Sequence, residues 1–482
     1  MLRALSGAVL KTWSRLGTRW MPFADVATPE LPLSRLWRLS LFQISVGMVQ
    51  TLFIGTLNRV IILELGVPAT IVSIGIAIPL LIAPFRTLIG FRSDTYRCVL
   101  GWRRVPFIWF GTLMQFGGLA IMPFALLALS PDAATTMRWT GYAGSALAFF
   151  LVGAGAHTTQ TAGLALASDL APEGRRPRVV ALMYVTLLLG TVVSAFLLGN
   201  LLHEYSPIKL IQVIQGCAVA TMALNTLSLW KQEARVRGVT PYQPGERRPV
   251  FREAWRVFTQ GGRAVRLLVA VGFGFFAFNL QDVLLEPYGG EILGLSVGQT
   301  TGLTGLMALG AILAFLYAAW ALERGTDPVR LAAYGALVGI LAFALVVFAS
   351  PLDSALIFRV GTFLIGTGEG MFGVGTLSAA MALKDERQHG IALGAWGAVF
   401  ATAEGLALAS SGVIKDTVAD LVRHGSLGPG LSIPSVPYSV VYHLEIAALF
   451  ATLIALGPLV APNRAGARRD ESSRIGLADL PA

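Results

Sequence analysis

The chain has 482 residues, of which 55% are hydrophobic and only 13% are charged. A soluble protein of this length carries about twice that share of charged residues, so the composition excludes a soluble globular protein and indicates a helical membrane protein with several spans. The net charge of +10 does not indicate a nucleic-acid partner, because the basic residues fall in alternate loops between apolar runs.

The chain begins with a basic segment, residues 1–38, in which Arg and Lys stand among Leu and Trp. This pattern is typical of an amphipathic helix on the inner membrane surface, and a disordered leader is the alternative. No cleavable signal peptide is evident. At the other end, residues 462–482 are polar, and we expect a disordered cytoplasmic tail.

Apolar runs of about 20 residues, long enough to cross a bilayer, recur from one end of the chain to the other. They predict an all-α membrane protein with twelve transmembrane helices. The predicted spans are 40–61, 71–89, 106–129, 140–167, 179–201, 208–230, 267–285, 299–322, 329–349, 355–383, 391–413 and 440–460.

The distribution of Lys and Arg predicts the orientation of these spans. With the N-terminus inside, the opposite loops hold six of the 37 basic residues and Arg86 falls within a span, which leaves 30 on the cytoplasmic side. The positive-inside rule therefore predicts that both termini are cytoplasmic. The six basic residues of the opposite loops are Arg59, Arg138, Lys209, Arg359, Lys415 and Arg423.

A basic linker, residues 231–266, divides the spans into two halves of six, at residues 39–230 and 267–461. The sequence Phe150-Leu-Val-Gly-Ala-Gly in the fourth span reappears as Phe363-Leu-Ile-Gly-Thr-Gly in the tenth span, at the same place in its half. Two parallel repeats of six spans joined by such a linker are typical of the major facilitator fold. We therefore predict a major facilitator type architecture.

The loop after the second span is similar to the facilitator signature Gly-x-x-x-Asp followed by basic residues. An aspartate at a helix end can pair with arginines and with the dipole of a neighbouring helix, and so fix the arrangement of one half. The alternative is that the basic residues only anchor the loop inside, and neither interpretation identifies a substrate. The motif comprises Gly90, Asp94, Arg97, Gly101, Arg103 and Arg104.

His157 is the ionisable side chain near the middle of the fourth span, and small residues surround it. Gly153 lies one turn earlier, so a planar ligand could rest on the glycine while the imidazole binds it from the side. The alternative is close helix packing around a hydrogen-bonded histidine. On these residues alone the packing interpretation is favoured.

Acidic side chains within spans are expensive and are candidates for function. In a facilitator fold the first, fourth, seventh and tenth spans line the central cavity, so Asp282, Glu286 and Glu369 are expected to face the same interior as His157. Glu286 precedes a proline and two glycines, so capping of a helix end at the outer surface is an alternative for it. The other intramembrane candidates are Glu404, His443 and Glu445.

No catalytic constellation is present in the sequence. It contains no phosphate-binding loop, no Gly-x-Ser-x-Gly elbow and no His-Glu-x-x-His motif. Two cysteines, Cys98 and Cys217, are too few for a disulfide framework or a cysteine metal site, and we predict free thiols. We therefore predict that the protein is not an enzyme.

Three motifs make a family resemblance specific. They are Ile89-Gly-Phe-Arg-Ser-Asp94, the stretch Gly155-Ala-His-Thr-Thr-Gln-Thr-Ala-Gly-Leu-Ala-Leu-Ala-Ser-Asp-Leu-Ala171, and Gln281-Asp-Val-Leu-Leu-Glu-Pro-Tyr-Gly-Gly290. Together they resemble the PucC/LhaA family, also called the bacteriochlorophyll delivery family, a facilitator branch of purple phototrophic bacteria. The resemblance extends from about residue 33 to the last span. The length and the basic N-terminus are more similar to the LhaA branch.

The resemblance implies a function in the assembly of a light-harvesting antenna, with the core complex as the expected client. The implied cofactor is bacteriochlorophyll, with carotenoid as a further candidate, and no free metal is predicted. The implied partners are antenna polypeptides and membrane lipid, with the reaction centre and the pigment-synthesis or insertion machinery as further candidates. The implied location is the bacterial inner, intracytoplasmic membrane. A proton-coupled facilitator of a small solute or pigment precursor, with Glu369, Glu404 and Asp282 relaying protons, is the alternative function.

The pigment also changes how the polar residues are interpreted. The magnesium of bacteriochlorophyll takes a further ligand from an imidazole, a carboxylate, an amide or water, so His157 or Glu369 becomes a candidate magnesium ligand. Hydrogen bonding of both residues to neighbouring helices is the alternative. An aromatic group in the seventh span, at positions 273, 275, 276 and 278, is a candidate surface for docking antenna helices, with ordinary lipid-facing phenylalanines as the alternative. The candidate pigment-binding residues are His157, Gly153, Gln160, Glu369, Gln281, Asp282 and Glu286.

Overall fold

The computed structural model describes residues 32–81, 102–130, 135–171, 176–233, 262–382 and 389–460. Within these ranges, nine helices are long and apolar enough to cross a membrane. The prediction of a helical membrane protein with several spans is therefore confirmed. Residues 1–31, most of the basic linker and the tail from residue 461 onward lie outside the described residues.

The first group of helices precedes the linker. Helix α1 does not end at Leu52, because two π-helical segments, Phe53–Leu57 and Val60–Glu64, continue it. Residues 82–101, which follow α2, lie outside the described residues. The six helices are α1 (Leu33–Leu52), α2 (Ala69–Leu81), α3 (Val105–Leu129), α4 (Thr135–Leu170), α5 (Arg176–Leu201) and α6 (Pro207–Leu229).

The second group of helices follows the linker. Its first helix is broken into two pieces, and Ser296 begins α8 with a capping box that also involves Gln299. The helices are α7a (Arg263–Asn279), α7b (Leu285–Glu291), α8 (Val297–Glu323), α9 (Pro328–Ala349), α10 (Ala355–Met381), α11 (His389–Arg423) and α12 (Val436–Leu456).

Each predicted span overlaps one of these helices, but two details differ. The seventh span was expected to be unbroken over 267–285, whereas residues 280–284 form turns. The side chains of Asn279 and Gln281 donate hydrogen bonds to the carbonyl oxygens of Phe275 and Phe278, and such local bonds compete with the helical ladder. Helix α11 was expected to end at residue 413 and continues to Arg423.

Helix packing follows the division of the chain. In the first group α3 packs on α4 and α1 packs on α5 and α6, while in the second α9 and α8 pack on α10 and α7a packs on α12. The two groups meet where α5 packs on α8 and where α2 packs on α11. The second helix of each group therefore packs on the fifth helix of the other group. This reciprocal pattern is expected of two structurally similar halves. The exact count of twelve spans in two six-helix halves stays a prediction, because nine of the described helices meet the length and hydropathy that a span requires.

One end of the bundle, here called the terminal face, carries the starts of α1 and α3 and the ends of α4 and α6. Glu233, just after α6, accepts hydrogen bonds from the backbone amides of Arg103, Arg104 and Val105, and so caps the start of α3. Arg104 pairs with Asp169 at 3.0 Å between Nε and Oδ2. Of the predicted facilitator motif, Arg103 and Arg104 therefore bind groups at helix ends, whereas its other four residues lie outside the described ranges.

Candidate functional site

The contact between the two groups is built around the π-helical part of α1. Asn58 is completely buried and lies in the sequence between the two π-helical segments. π-Helical turns are frequent at functional sites. Its amide nitrogen donates to the carbonyl oxygen of Val283 at 3.1 Å and to Oε2 of Glu286 at 3.3 Å. Asn58 therefore joins the first group of helices to the break in α7.

Glu286 lies in the first turn of α7b and is only 2% exposed. Its second carboxylate oxygen accepts a hydrogen bond from Thr304 Oγ1 of α8 at 3.0 Å. Gly55 allows this approach, because a Cβ at that position would overlap the Thr304 side chain. The alternative that Glu286 caps a helix end at the outer surface was therefore wrong, since the carboxylate connects α1, α7b and α8 inside the protein.

Arg59 forms a second connection between the groups. Its guanidinium pairs with Glu64 at 2.8 Å and donates to the carbonyl oxygen of Leu295 at 3.2 Å. A Cβ at Gly290 would lie 2.7 Å from Arg59 Nε, so only glycine leaves room for the arginine. Arg59 was counted among the basic residues of the opposite loops, near the end of the first predicted span, and the structure buries it within the helix that ends at Glu64.

Five carboxylates from the second group form what we call the acidic cluster. Asp282 lies in the break of α7, and the carboxylates that interact electrostatically with it come from α7b, α10, α11 and α12. The predicted residues Asp282, Glu286 and Glu369 are thus brought near one another. The cluster consists of Asp282, Glu286, Glu369, Glu404 and Glu445.

Two members of this region have unsatisfied polar atoms. Glu445 is completely buried, and neither of its carboxylate oxygens has a hydrogen-bond partner among the described residues. Gln281 is also buried; its amide nitrogen donates to Asp282, while its Oε1 has no partner within the described ranges. An isolated ionised carboxylate inside a membrane is expensive, so Glu445 requires a proton or a cation.

The acidic cluster does not have the convergence that a metal ion requires. Across the described part of the chain, no group of three His, Cys, Asp or Glu side chains is close enough together to hold a metal ion.

His157 and Gly153 lie on α4, where the structure changes the predicted roles. A Cβ at Gly153 would overlap the ring of Pro79, so α2 covers the glycine surface that was expected to seat a flat ligand. Gly155 serves packing as well, since a Cβ there would lie 2.8 Å from the amide nitrogen of Gln115 on α3. The ring-seating role of Gly153 was therefore wrong. His157 is half-buried and Gln160 is buried, and both interact with other groups of the protein.

The aromatic docking surface predicted on α7a was wrong for two of its four members. Phe275 packs edge-on against Phe372 and Phe400, with ring centroids 5.2 and 4.5 Å apart, and Phe278 is completely buried. Gly274 permits this contact, because a Cβ there would overlap the Phe372 ring. Phe276 is half-buried, and Phe273 is the exposed member of the four, at 47%.

Sequence reasoning missed three residues of the contact between the groups, namely Asn58, Arg59 and Thr304. A signal for the first two was present, since the apolar run continues after the Asn-Arg pair with no glycine or proline before Gly66. Thr304 carries no such signal, because a threonine in an apolar helix usually bonds its own backbone.

Comparison with known proteins identifies the family of the chain. The family described as PUCC protein matches residues 56–464 of the chain. The chain belongs to the PucC family. Protein PucC of Rhodovulum sulfidophilum is 53% identical over 420 residues, which cover 86% of this chain and 92% of the relative. A Rhodobacter capsulatus protein of the puhA-bchM intergenic region is 51% identical over 468 residues, which cover 97% and 98%.

Solved structures show the fold to which this PucC family chain is similar. A bacterial homologue of the iron transporter ferroportin, in an inward-facing state, has a TM-score of 0.64 at 12% identity and covers 88% of this chain and 98% of its own. Similarity at this identity shows the fold alone, and the fold is that of facilitator-type transporters. The predicted family is confirmed, whereas membership of the LhaA branch stays a prediction.

Proposed function

We propose that the protein is an assembly factor for a light-harvesting antenna of a purple phototrophic bacterium, which binds bacteriochlorophyll or delivers it to newly inserted antenna polypeptides. The observation that carries this proposal is the family match over residues 56–464, together with identities above half to PucC family relatives along nearly the whole chain. The core complex as client is part of the proposal and rests on the similarity of the length and the basic N-terminus to the LhaA branch. Neither step requires the protein to catalyse a reaction.

We further propose twelve spans in two six-helix halves, with both termini cytoplasmic, in the bacterial inner membrane. The contacts of α5 with α8 and of α2 with α11 support the two halves. In this orientation the terminal face is cytoplasmic, and the contacts of Asn58 and Arg59 lie toward the periplasm.

The side chains present agree with bacteriochlorophyll in their chemistry. When bound, the pigment would supply a magnesium ion, for which an imidazole or a carboxylate is a suitable ligand. His157 of α4 and Glu369 of α10 are both half-buried, so each retains some access from outside the packed core. In this proposal either side chain would hold and orient the pigment, and the surrounding helices would exclude water from it.

Proton-coupled transport is the second candidate, and the acidic cluster favours it. Asp282, Glu369 and Glu404 interact across three helices of a transporter fold, and the buried Glu445 has no hydrogen-bond partner among the described residues. Carboxylates within spans commonly form proton relays in pumps and transporters. A relay would bind and release protons as the two halves exchange their contacts.

Purification from phototrophic membranes separates the two candidates. An assembly factor is expected to carry bacteriochlorophyll absorbance in stoichiometric amount and to retain antenna polypeptides. A transporter is expected to be colourless and to move a solute together with protons in liposomes. Colourless protein without antenna polypeptides contradicts the proposed assembly function.

A further inference from the structure

A polar pocket lies at the terminal face between the start of α1 and the end of α6. Its volume is about 390 Å³, and three of the five residues that line it are basic. No acidic side chain is among those five or in the first turn of α1. We call it the basic pocket, and its residues are Pro32, Ser34, Arg35, Arg38 and Lys231.

The walls of the basic pocket are fixed by hydrogen bonds between the two helices. Arg35 donates to the side-chain oxygen of Gln232 at 3.1 Å and to its carbonyl oxygen at 2.5 Å. The Gln232 amide in turn donates to the carbonyl oxygen of Arg35 at 3.2 Å, and Gln232 is completely buried. Because these bonds already fix the side chain of Arg35, it loses little further conformational entropy when it binds a ligand.

Two features of the basic pocket are energetically costly. Arg38 Nε is buried and has no hydrogen-bond partner among the described residues, which leaves a charged donor unsatisfied. Lys231 has a φ of +56°, a conformation that side chains other than glycine and asparagine rarely adopt. An anion that accepts a hydrogen bond from Arg38 would offset the first cost, and it would also attract the ammonium group of Lys231.

The position of the basic pocket indicates where such an anion comes from. Trp37 and Trp230 are the sequence neighbours of Arg38 and Lys231, and they are 44% and 59% exposed. Exposed tryptophans are enriched where a membrane protein passes from the hydrocarbon core into the headgroup layer. The pocket is therefore at the depth of lipid phosphates, and basic pockets at this depth bind anionic headgroups.

We propose that the basic pocket binds the phosphate group of an anionic phospholipid. Arginine side chains match phosphate oxygens with two parallel donors, and lysine adds a point charge, so the lining suits a phosphodiester. This site does not depend on the proposed assembly function, because its lining comes from the start of α1 and the end of α6 within one group of helices and includes none of the candidate pigment-binding residues. The same chemistry would accept a free phosphate, which the experiment must separate from lipid.

The test uses the full-length protein, delipidated in a neutral detergent, and follows Tm during titration. Phosphatidylglycerol is expected to raise Tm in a saturable way, whereas phosphatidylcholine and inorganic phosphate at the same concentration are not. Lys231→Asn removes the charge but suits the backbone conformation, and Arg38→Gln removes the second charge. Each is expected to weaken the binding of phosphatidylglycerol roughly five-fold.

Lys209→Gln is the matched control, because Lys209 is an exposed lysine away from the pocket that pairs with Glu204. It is expected to bind phosphatidylglycerol as the unmodified protein does. An equal effect of phosphatidylcholine, or an equal weakening in the control, overturns the site. An equal effect of inorganic phosphate overturns the assignment to lipid. If Arg38→Gln does not fold, Lys231→Asn decides alone, and unchanged binding in that variant overturns the proposal.

Discussion

Glu286 of α7b accepts a hydrogen bond from Asn58 of α1 across the boundary between the two groups of helices, at 3.3 Å between Oε2 and Nδ2. The same asparagine binds the backbone at Val283, where α7 is broken. One buried amide therefore connects the π-helical part of α1 to the break in α7. Both are irregular features, and two uninterrupted helices would contain neither of them.

Replacement of Asn58 by alanine is expected to destabilise the protein. The change leaves the carboxylate of Glu286 with Thr304 as its remaining side-chain donor, and an unsatisfied buried group costs about 1–3 kcal/mol. Thermal unfolding in detergent should show a lower Tm for Asn58→Ala. Asn200→Ala, at an exposed position of α5, should leave Tm unchanged. Equal Tm values for the two variants would show that the amide contributes nothing to the contact.

Replacement of Gly298 by alanine is expected to separate α5 from α8. A Cβ at Gly298 would overlap the carbonyl oxygen of Gly199, and overpacking of this kind costs about 1–3 kcal/mol. Gly302 of the same helix faces open space, so Gly302→Ala should retain or slightly raise the stability. The difference in Tm between the two alanine variants measures the contact. No difference would mean that the helices do not meet at Gly298.

His157→Leu and Glu369→Gln test the pigment site within the proposed function. Each changes a candidate magnesium ligand while keeping the size of the side chain, since leucine offers no ligand atom and glutamine offers only a neutral amide. The protein is therefore expected to fold but to bind less bacteriochlorophyll and to lower the yield of antenna. Pigment content is read from the absorbance of the purified protein. Normal pigment in both variants would exclude this site and would favour Gln281, Asp282 and Glu286 instead.

Replacement of Phe275 by leucine is expected to lower stability, because the ring takes part in edge-on contacts worth about 0.5–1.5 kcal/mol each. Phe273→Leu is the control, since that side chain is exposed, and its Tm should change little. If instead Phe273→Leu is the more destabilised variant, the burial described for α7a is incorrect.

The sequence predicted the spans well and their contacts poorly. Long apolar runs need only the bilayer thickness for their interpretation, so Val105–Leu129 and Pro328–Ala349 begin within one residue of the predicted spans. The burial of Arg59 was not predicted, because its partners, Glu64 and Leu295, depend on the helix continuing to Glu64 and on a distant loop approaching it. Hydropathy gives no information about the continuation of the helix or about the approach of the loop.

The candidate site was predicted in part for the same reason. Polarity within apolar spans was enough to select Asp282, Glu286 and Glu369, which the fold brings together. It was not enough to show that Pro79 covers Gly153 or that Phe275 faces Phe372, because those contacts depend on how helices rotate about their axes. Glycines gave a usable signal, since Gly274 stands directly beside the phenylalanine that is buried.

The near-infrared absorbance of membranes from phototrophic cells that lack this protein tests the proposed assembly function most directly. Loss of the antenna bands, with their return when the unmodified protein is supplied, is the predicted result, because antenna polypeptides that receive no pigment do not accumulate as complexes. Antenna absorbance at the normal level in cells without the protein would contradict the account.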